Sequence, residues 1–188
     1  MSHVQPTTAL EPHRQLTVPG SFDTEPFFAP DAGLFEIRLG KDGVDDTTLL
    51  ALAAQLRGQG RHVLGHIQIK GEPLGACSCR EMSLIDLASG AHIPISENRG
   101  AQARGCHLDW SALMQVAAQT EADLLTGPDI LIVNRFGRAE AEGKGMRGAI
   151  VKALGLGVPV IVGVRREYGE VWDAFHAGLA QKVLLRAG

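Results

Sequence analysis

The stretch Asp129-Ile130-Leu131-Ile132-Val133-Asn134 is a continuous apolar run with a polar residue at each end. A second run of this kind, VPVIVGV, occupies residues 158–164, and residues 145–156 between the two runs have a helical pattern. Strands that are apolar at every position are typical of parallel sheets buried on both faces. The succession of strand, helix and strand therefore predicts a βαβ unit in a mainly parallel sheet.

The segments on either side of this unit continue the alternation of strands and helices. Periodicity predicts strands at 34–39, 62–69 and 182–185 and helices at 47–59, 110–125 and 170–179, with a loop over 70–80. Residues 82–96 differ, because two short strand-like runs flank the turn at Ala88-Ser89-Gly90. They predict an inserted β-hairpin, and Pro94 places its second strand at a sheet edge. The expected architecture is a three-layer α/β domain.

The domain is expected to span residues 34–188 as a single unit. Residues 1–33 are rich in proline, threonine and polar groups and have no periodicity. This composition predicts a flexible N-terminal arm, or an extension packed on the surface, with Phe27 and Phe28 able to hold part of it against the domain.

Composition limits the classes of partner. The chain has 188 residues, of which 45% are hydrophobic, and its formal net charge of −3 gives no electrostatic reason to expect nucleic acid. No run of about 18 apolar residues is present, so a membrane span is not expected, and without a signal-peptide pattern at its start a cytoplasmic location is expected. A homodimer is a further possibility, because small domains often pair.

The loop that follows the first strand lies where a phosphate-binding loop is found in P-loop proteins. A Walker A loop has the pattern G-x-x-x-x-G-K-[ST]. Thr47 and Thr48 match its end, Gly43 supplies a flexible backbone, and Asp45-Asp46 replaces the Gly-Lys pair. Two carboxylates at a helix start could cap the helix, or could bind Mg²⁺ that carries an anion. Direct phosphate contact would then need a cation from elsewhere, for which Lys41 and Lys144 are the candidates.

The loop after the central strand, residues 134–145, is a second candidate site because ligands bind at the carboxyl ends of parallel strands. Its charged and glycine residues suggest specific roles. Glu140 and Glu142 are candidate catalytic residues, either as metal ligands or as the base that orients water. The candidates for anion or nucleotide binding in this loop are Asn134, Gly137, Arg138 and Lys144. The alternative is a solvated loop in which Arg138 pairs with Glu142.

Cysteines form a third candidate site. Cys77, Cys79 and Cys106 with His107 offer three thiols and an imidazole, which is a plausible ligand set for a soft metal. Their spacing is not that of a standard zinc module, and thiols in such loops are also common simply as small residues. Arg99, near Cys106 in the same polar segment, is a further candidate for anion binding.

Four motifs together resemble an uncharacterised bacterial domain family whose members are often encoded near molybdate-transport genes. They are SLIDLASG at 83–90, ISENRG at 95–100, GCHLD at 105–109 and VNRFGRAEAEG at 133–143, and the resemblance runs from about Leu34 to Arg186. The family is similar in layout to thermophile-type nucleoside-triphosphatases, which are small P-loop enzymes. The resemblance implies a P-loop NTPase-like fold and an accessory role linked to molybdenum. Asp45-Asp46 and Asn134 depart from the enzyme pattern and weaken the case for hydrolysis.

Three functions follow as hypotheses. The first is an accessory protein that binds a nucleotide, with or without Mg²⁺, or an oxyanion such as molybdate. The second is a slow Mg²⁺-dependent nucleoside-triphosphatase that uses Thr47 or Thr48 for the metal and Glu140 for the attacking water. The third is a protein that binds a metal through its thiols.

Overall fold

A computed structural model describes residues 21–40, 45–73, 80–96, 108–183 and 185. Its strands are β1 (Leu34–Leu39), β2 (Val63–Pro73), β3 (Arg80–Asp86), β4 (His92–Pro94), β5 (Ile130–Phe136), β6 (Val160–Arg165) and β7 (Ala180–Lys182). Its α-helices are α1 (Asp46–Gly58), α2 (Trp110–Asp123), α3 (Arg138–Ala141), α4 (Arg147–Gly155) and α5 (Gly169–His176). Single 3₁₀ turns occupy Glu25–Phe28, Leu124–Thr126 and Arg166–Tyr168.

The strands form one seven-stranded sheet in the order β4-β3-β2-β5-β6-β1-β7. Five neighbouring strands, from β2 to β7 in that order, are parallel, while β3 and β4 extend the β2 side in antiparallel fashion. The predicted hairpin is therefore confirmed, with Pro94 on the edge strand. This mainly parallel sheet with helices on its faces is consistent with a P-loop NTPase-like fold, which confirms the predicted class.

The core has two halves, one on each face of the sheet, and β5 contributes to both. Ile130 and Ile132 face the half that contains α1, whereas Leu131 and Val133 face the half that contains α2, α4 and α5. Because successive side chains of a strand point to opposite faces, both sets can be buried only if each face is covered. Every residue from 130 to 134 is buried, and the three-layer arrangement follows.

Several boundaries differ from the sequence-based expectations. β2 continues to Pro73 by pairing with β3, so the first part of the predicted loop at 70–80 is strand. A one-turn helix, α3, occupies part of the loop after β5. The following helix begins at Arg147 rather than at residue 145, because Gly143 and Gly145 have positive φ angles that end one helix before the next begins. The last strand pairs at 180–182 rather than 182–185.

Part of the predicted arm packs against the domain. Phe22 and Phe27 are buried, and the Phe27 ring meets the Phe35 ring of β1 edge to face at a centroid distance of 5.0 Å. The Gln55 side chain of α1 bonds both the N–H and the C=O of Phe22, at 2.8 Å each. Residues 21–33 therefore belong to the packed structure. Among the helices of the described residues, none is long and apolar enough to cross a membrane.

Candidate functional site: a cleft at the carboxyl ends of the strands

A cleft of about 670 Å³ lies on the face of the sheet that α2 covers. The described residues that line it come from β2, β3, β5, the end of β6, α2 and α3. Many of its lining residues are apolar, Leu84, Leu113 and Leu131 among them. The lining also contains Arg135, Arg138 and Arg165, which are half-buried or exposed and which we call the arginine rim. The volume is in the range of small-molecule sites, and the rim lies at the strand ends where ligands of parallel sheets bind.

Asp45 caps α1. Its Oδ1 accepts the Thr48 N–H at 2.9 Å, together with the hydroxyls of Thr47 at 2.6 Å and Thr48 at 3.0 Å. These hydrogen bonds, the Thr47 hydroxyl first, lower the pKa of Asp45 below its ordinary value. Thr47 and Thr48 are the two candidates for the single hydroxyl that binds Mg²⁺ in a Walker A loop, and both of their hydroxyls are directed at the Asp45 carboxylate of the same turn.

Asp46 joins the first turn of α1 to the end of β5. Its Oδ2 accepts Arg135 Nη2 at 2.6 Å, and its Oδ1 accepts Asn134 Nδ2 at 2.8 Å. Buried Asn134 also accepts the Gln68 N–H of β2 at 2.6 Å. The structure therefore brings together two of the predicted candidates, Asp46 and Asn134, and adds an arginine that the sequence analysis did not select.

Glu140 is buried, and its carboxylate holds the backbone of its own loop. One oxygen accepts the Gly137 N–H and the other accepts the Met146 N–H, both at 3.0 Å. The first bond is the reach of an N3 glutamate back to the start of α3, as in a capping box. Both oxygens are therefore already committed to backbone donors, which fits a structural role better than activation of water.

Glu142 and Arg138 form an exposed ion pair one helical turn apart, with Arg138 Nε 2.7 Å from Glu142 Oε1. The hydrogen bond lowers the pKa of Glu142 and raises that of Arg138. This is the solvated alternative considered for the loop. Lys144 Nζ lies 5.2 Å from the centre of the ring of Trp110, a residue of the cleft lining, in cation–π geometry.

Several candidates lie outside the described residues. They are Gly43 and Lys41 in the first loop, Arg99, and the proposed thiol-metal set of Cys77, Cys79, Cys106 and His107. Their roles stay predictions.

Glu36, Asp173 and His176 are the cluster within the described residues that has metal-ligand types close together. Arg38 forms ion pairs with both Glu36 and Asp173, so its guanidinium already supplies the positive charge that a metal ion would bring. His176 Nδ1 accepts the N–H groups of Gly178 and Ala180, which leaves its proton on Nε2, facing Asp173. A neutral imidazole in this state has no lone pair free for a metal, and the cluster is best described as an ion-pair network under α5.

The sequence-based predictions did not include three residues of the cleft, which are Arg135, Arg165 and His66. Arg135 directly follows Asn134 at the end of a buried strand, and that position was the available signal. Arg165 ends β6 in the same way. His66 lies inside β2, and its role depends on residues 20 and 54 positions further along the chain, so local spacing carried no signal for it.

Comparisons with known proteins give one family and one relative. A family model described as "Protein of unknown function (DUF2478)" matches residues 35–187, so the chain belongs to this family. The chain is also similar to "Molybdenum import ATP-binding protein ModC 2" of Bradyrhizobium diazoefficiens, with 29% identity over 139 residues. The match covers 74% of this chain but only 15% of that relative. No solved structure matches the chain.

Proposed function

We propose that this DUF2478 protein is an accessory protein that binds a small anion, a nucleotide or an oxyanion, in the cleft and does not hydrolyse it. The observation that carries the proposal is the side chain of Arg135, a residue of the cleft lining at the end of β5. Its Nε is buried and has no hydrogen-bond partner among the described residues. A buried donor without a partner is costly, and an anionic ligand would satisfy it.

The charges of the lining support an anion as the ligand. Three arginines line the cleft, whereas Glu140 is the one carboxylate among the described lining residues, and backbone donors hold both of its oxygens. Arg135, Arg138 and Arg165 each also contact one acidic residue outside the lining. Because a guanidinium has five N–H donors, one such contact leaves others for a ligand.

Binding is favoured over hydrolysis because the groups that hydrolysis would need are engaged. The Thr47 and Thr48 hydroxyls donate to Asp45, and Glu140 accepts two backbone N–H groups. Asp46 occupies the position of the Walker A lysine, and its carboxylate would repel a phosphate there. If Mg²⁺ takes part, it would arrive with the nucleotide rather than on a preformed site of these residues.

The relative provides the link to molybdenum. Its printed name combines molybdenum import with ATP binding, and both ligand classes, a nucleotide and a tetrahedral oxyanion, suit arginine forks. An accessory role in molybdenum handling is therefore the physiological setting that we propose.

Two substitutions that break the same ion pair in opposite ways test the proposal. Arg135→Met removes the proposed ligand donor, whereas Asp46→Asn removes its acidic partner and leaves the guanidinium. Calorimetric titration with ADP, ATP, molybdate and phosphate, with and without Mg²⁺, should give binding of at least one anion. Arg135→Met should weaken that binding at least tenfold, as expected for a charged hydrogen bond, and Asp46→Asn should maintain or strengthen it.

Arg57→Met is the matched control, because Arg57 is exposed at the end of α1 and is not a lining residue of the cleft. Its binding should equal that of the wild type. Equal losses in Arg135→Met and Asp46→Asn would show that the ion pair matters only for structure. No heat with any of these anions would overturn the proposal.

A further inference from the structure

The cleft lining contains a pair of polar side chains that are almost fully buried, and we call this part of the cleft its inner end. His66 of β2 and Thr120 of α2 both line it, with 7% and 0% of their surfaces exposed. His66 Nδ1 and Thr120 Oγ1 are 3.5 Å apart, which is long for a hydrogen bond. Because both residues are almost fully buried, bulk water does not readily solvate the pair.

Asp86 determines which ring nitrogen of His66 holds the proton. His66 Nε2 lies 3.2 Å from Asp86 Oδ2, and an ionised carboxylate can only accept. Asp86 is itself oriented by the turn of the β3–β4 hairpin, because its Oδ1 accepts the N–H and the hydroxyl of Ser89 at 2.6 Å each. The neutral imidazole therefore carries its proton on Nε2 and presents Nδ1 as an acceptor.

Thr120 cannot supply the missing proton to that acceptor while it keeps its helix bond. Its hydroxyl donates to the Val116 carbonyl, four residues earlier in α2, at 2.8 Å. That distance is much shorter than the 3.5 Å to His66. A hydroxyl has one proton, so its lone pairs and the Nδ1 lone pair face each other. No other described residue is bonded to Nδ1.

We propose that His66 Nδ1 and Thr120 Oγ1 form a subsite for an N–H donor on an uncharged nitrogen heterocycle that the anionic ligand carries. An uncharged donor fits because both acceptors are almost fully buried, and the cleft of about 670 Å³ is large enough for a heterocycle. This inference rests on the proposed function, since it assigns the second end of the same ligand. It places the charged group at the arginine rim and the heterocycle inside.

Four probes separate the two ends of the cleft. ADP has both a phosphate group and an amino donor on its ring. Purine riboside 5′-diphosphate lacks that amino group, inorganic pyrophosphate lacks the ring, and adenosine lacks the phosphates. Thr120→Val removes the hydroxyl at almost unchanged volume, and Thr126→Val is its control, because Thr126 also donates to a backbone carbonyl but is exposed.

In calorimetry, we expect the wild type to bind ADP about fivefold or more tightly than purine riboside 5′-diphosphate, as one hydrogen bond allows. Thr120→Val should remove that preference and leave pyrophosphate binding unchanged, while Thr126→Val should change neither. In ¹⁵N NMR of the histidine side chains, ADP or adenosine should shift the His66 Nδ1 resonance, and pyrophosphate should not.

Arg135-dependent binding of ADP without a preference over purine riboside 5′-diphosphate would overturn this inference and leave the proposed function intact. If the protein binds no anion but adenosine shifts the His66 resonance, the proposed function would be overturned and the subsite for the heterocycle would remain. Absence of any His66 shift with both ADP and adenosine would show that water, rather than a ligand, fills the subsite.

Discussion

Glu140 is a candidate catalytic residue in the sequence, and in the structure it has the contacts expected of a residue that holds its own loop together. Its carboxylate accepts two backbone N–H groups from opposite ends of the loop. Glu140→Gln replaces one oxygen by an NH₂ group that would face a backbone donor, and we expect a loss of about 1–3 kcal/mol in the free energy of unfolding. Urea denaturation checks this loss. A catalytic Glu140 would instead give Mg²⁺-dependent phosphate release in the wild type that the variant abolishes.

Glu142→Gln is the control for this comparison. Its carboxylate is exposed and is bonded to Arg138, whose side chain is more exposed still, so the loss of this pair should leave the unfolding curve unchanged. A stability loss as large as that of Glu140→Gln would contradict the structural role given to Glu140.

His66 makes the stability of the protein depend on pH. Burial lowers the pKa of His66 below its ordinary value of 6.5, although Asp86 and Asp123 act in the opposite direction. As the pH falls below about 6.5, the unfolded chain takes up a proton that the folded protein resists, so the folded state loses stability. The slope from this one group is at most about 1.4 kcal/mol per pH unit.

Denaturation of the wild type and of His66→Gln between pH 8 and pH 5 measures this contribution. It is the difference between the two proteins in the slope of the free energy of unfolding against pH. The wild type should lose more stability on acidification than the variant. Asp86 does not interfere in this range. Burial would raise the pKa of Asp86, but the hydrogen bonds from Ser89 and Ala88 and the charge of His66 together lower it, so its contribution is lost only in stronger acid. Parallel curves for the two proteins would show that His66 is not resisting protonation.

Single residues were predictable where their partners are near in sequence. The cap at Asp45 and the pair of Arg138 with Glu142 both join residues within one helical turn, and both were among the alternatives. Asp46 and Arg135 are 89 positions apart, and their contact depends on β1 and β5 ending at the same edge of the sheet. That geometry follows from the fold and could not be obtained from spacing.

At the scale of elements, the pairing of β2 with β5 depends on Gly65, which lies opposite Ile132. Its φ angle is +128°, and a Cβ at this position would overlap the Ile132 carbonyl oxygen. Gly65→Ala should therefore cost about 2–4 kcal/mol from backbone strain and overlap. Thermal and urea denaturation measure the loss. Because His66 is the next residue, the substitution should also weaken any ligand that reaches the inner end of the cleft.

Gly58→Ala is the control for Gly65→Ala. Gly58 is helical, and a Cβ there would meet nothing within 4 Å. Alanine in a helix is favoured over glycine by about 0.5–1 kcal/mol, so this variant should be as stable as the wild type or more so. A tolerated Gly65→Ala would show that β2 and β5 can separate without cost.

Helices and strands were predicted well where hydrophobic periodicity is strong, and less well where pairing with another strand determines the bounds of an element. β5 and β6 follow directly from their unbroken apolar runs. The extension of β2 through Gly71 and Pro73 is different, because those residue types indicate a loop and only the pairing with β3 makes them strand. The prediction of the short helix α3 would have required the hydrogen bond from the Gly137 N–H to the Glu140 carboxylate, and hydrophobic periodicity does not indicate that bond.

At the scale of the whole molecule, the sequence pattern predicted a parallel α/β domain but not the order of its strands. β1 is first in the chain and lies between β6 and β7. That order brings the start of α1 beside the end of β5 and so allows Asp46 to reach both Asn134 and Arg135. The candidate site is thus a consequence of topology, which is why its residues were recognised only in part.

The N-terminal limit of the domain gives a prediction for the whole molecule. If residues 21–33 are part of the core, Phe27→Ala should destabilise the entire domain by about 3–5 kcal/mol, because Phe27 is fully buried against Phe35. Phe28→Ala is the matched control: this ring is only partly buried, under the Arg61 guanidinium at 3.9 Å, and its loss should cost about 1 kcal/mol. Denaturation followed by tryptophan fluorescence reports on Trp172 and Trp110, which both belong to the half of the core on the opposite face of the sheet. A lower denaturation midpoint of that signal in Phe27→Ala would show that residues 21–33 and the rest of the domain unfold together. An unchanged midpoint would show that these residues form a separate arm.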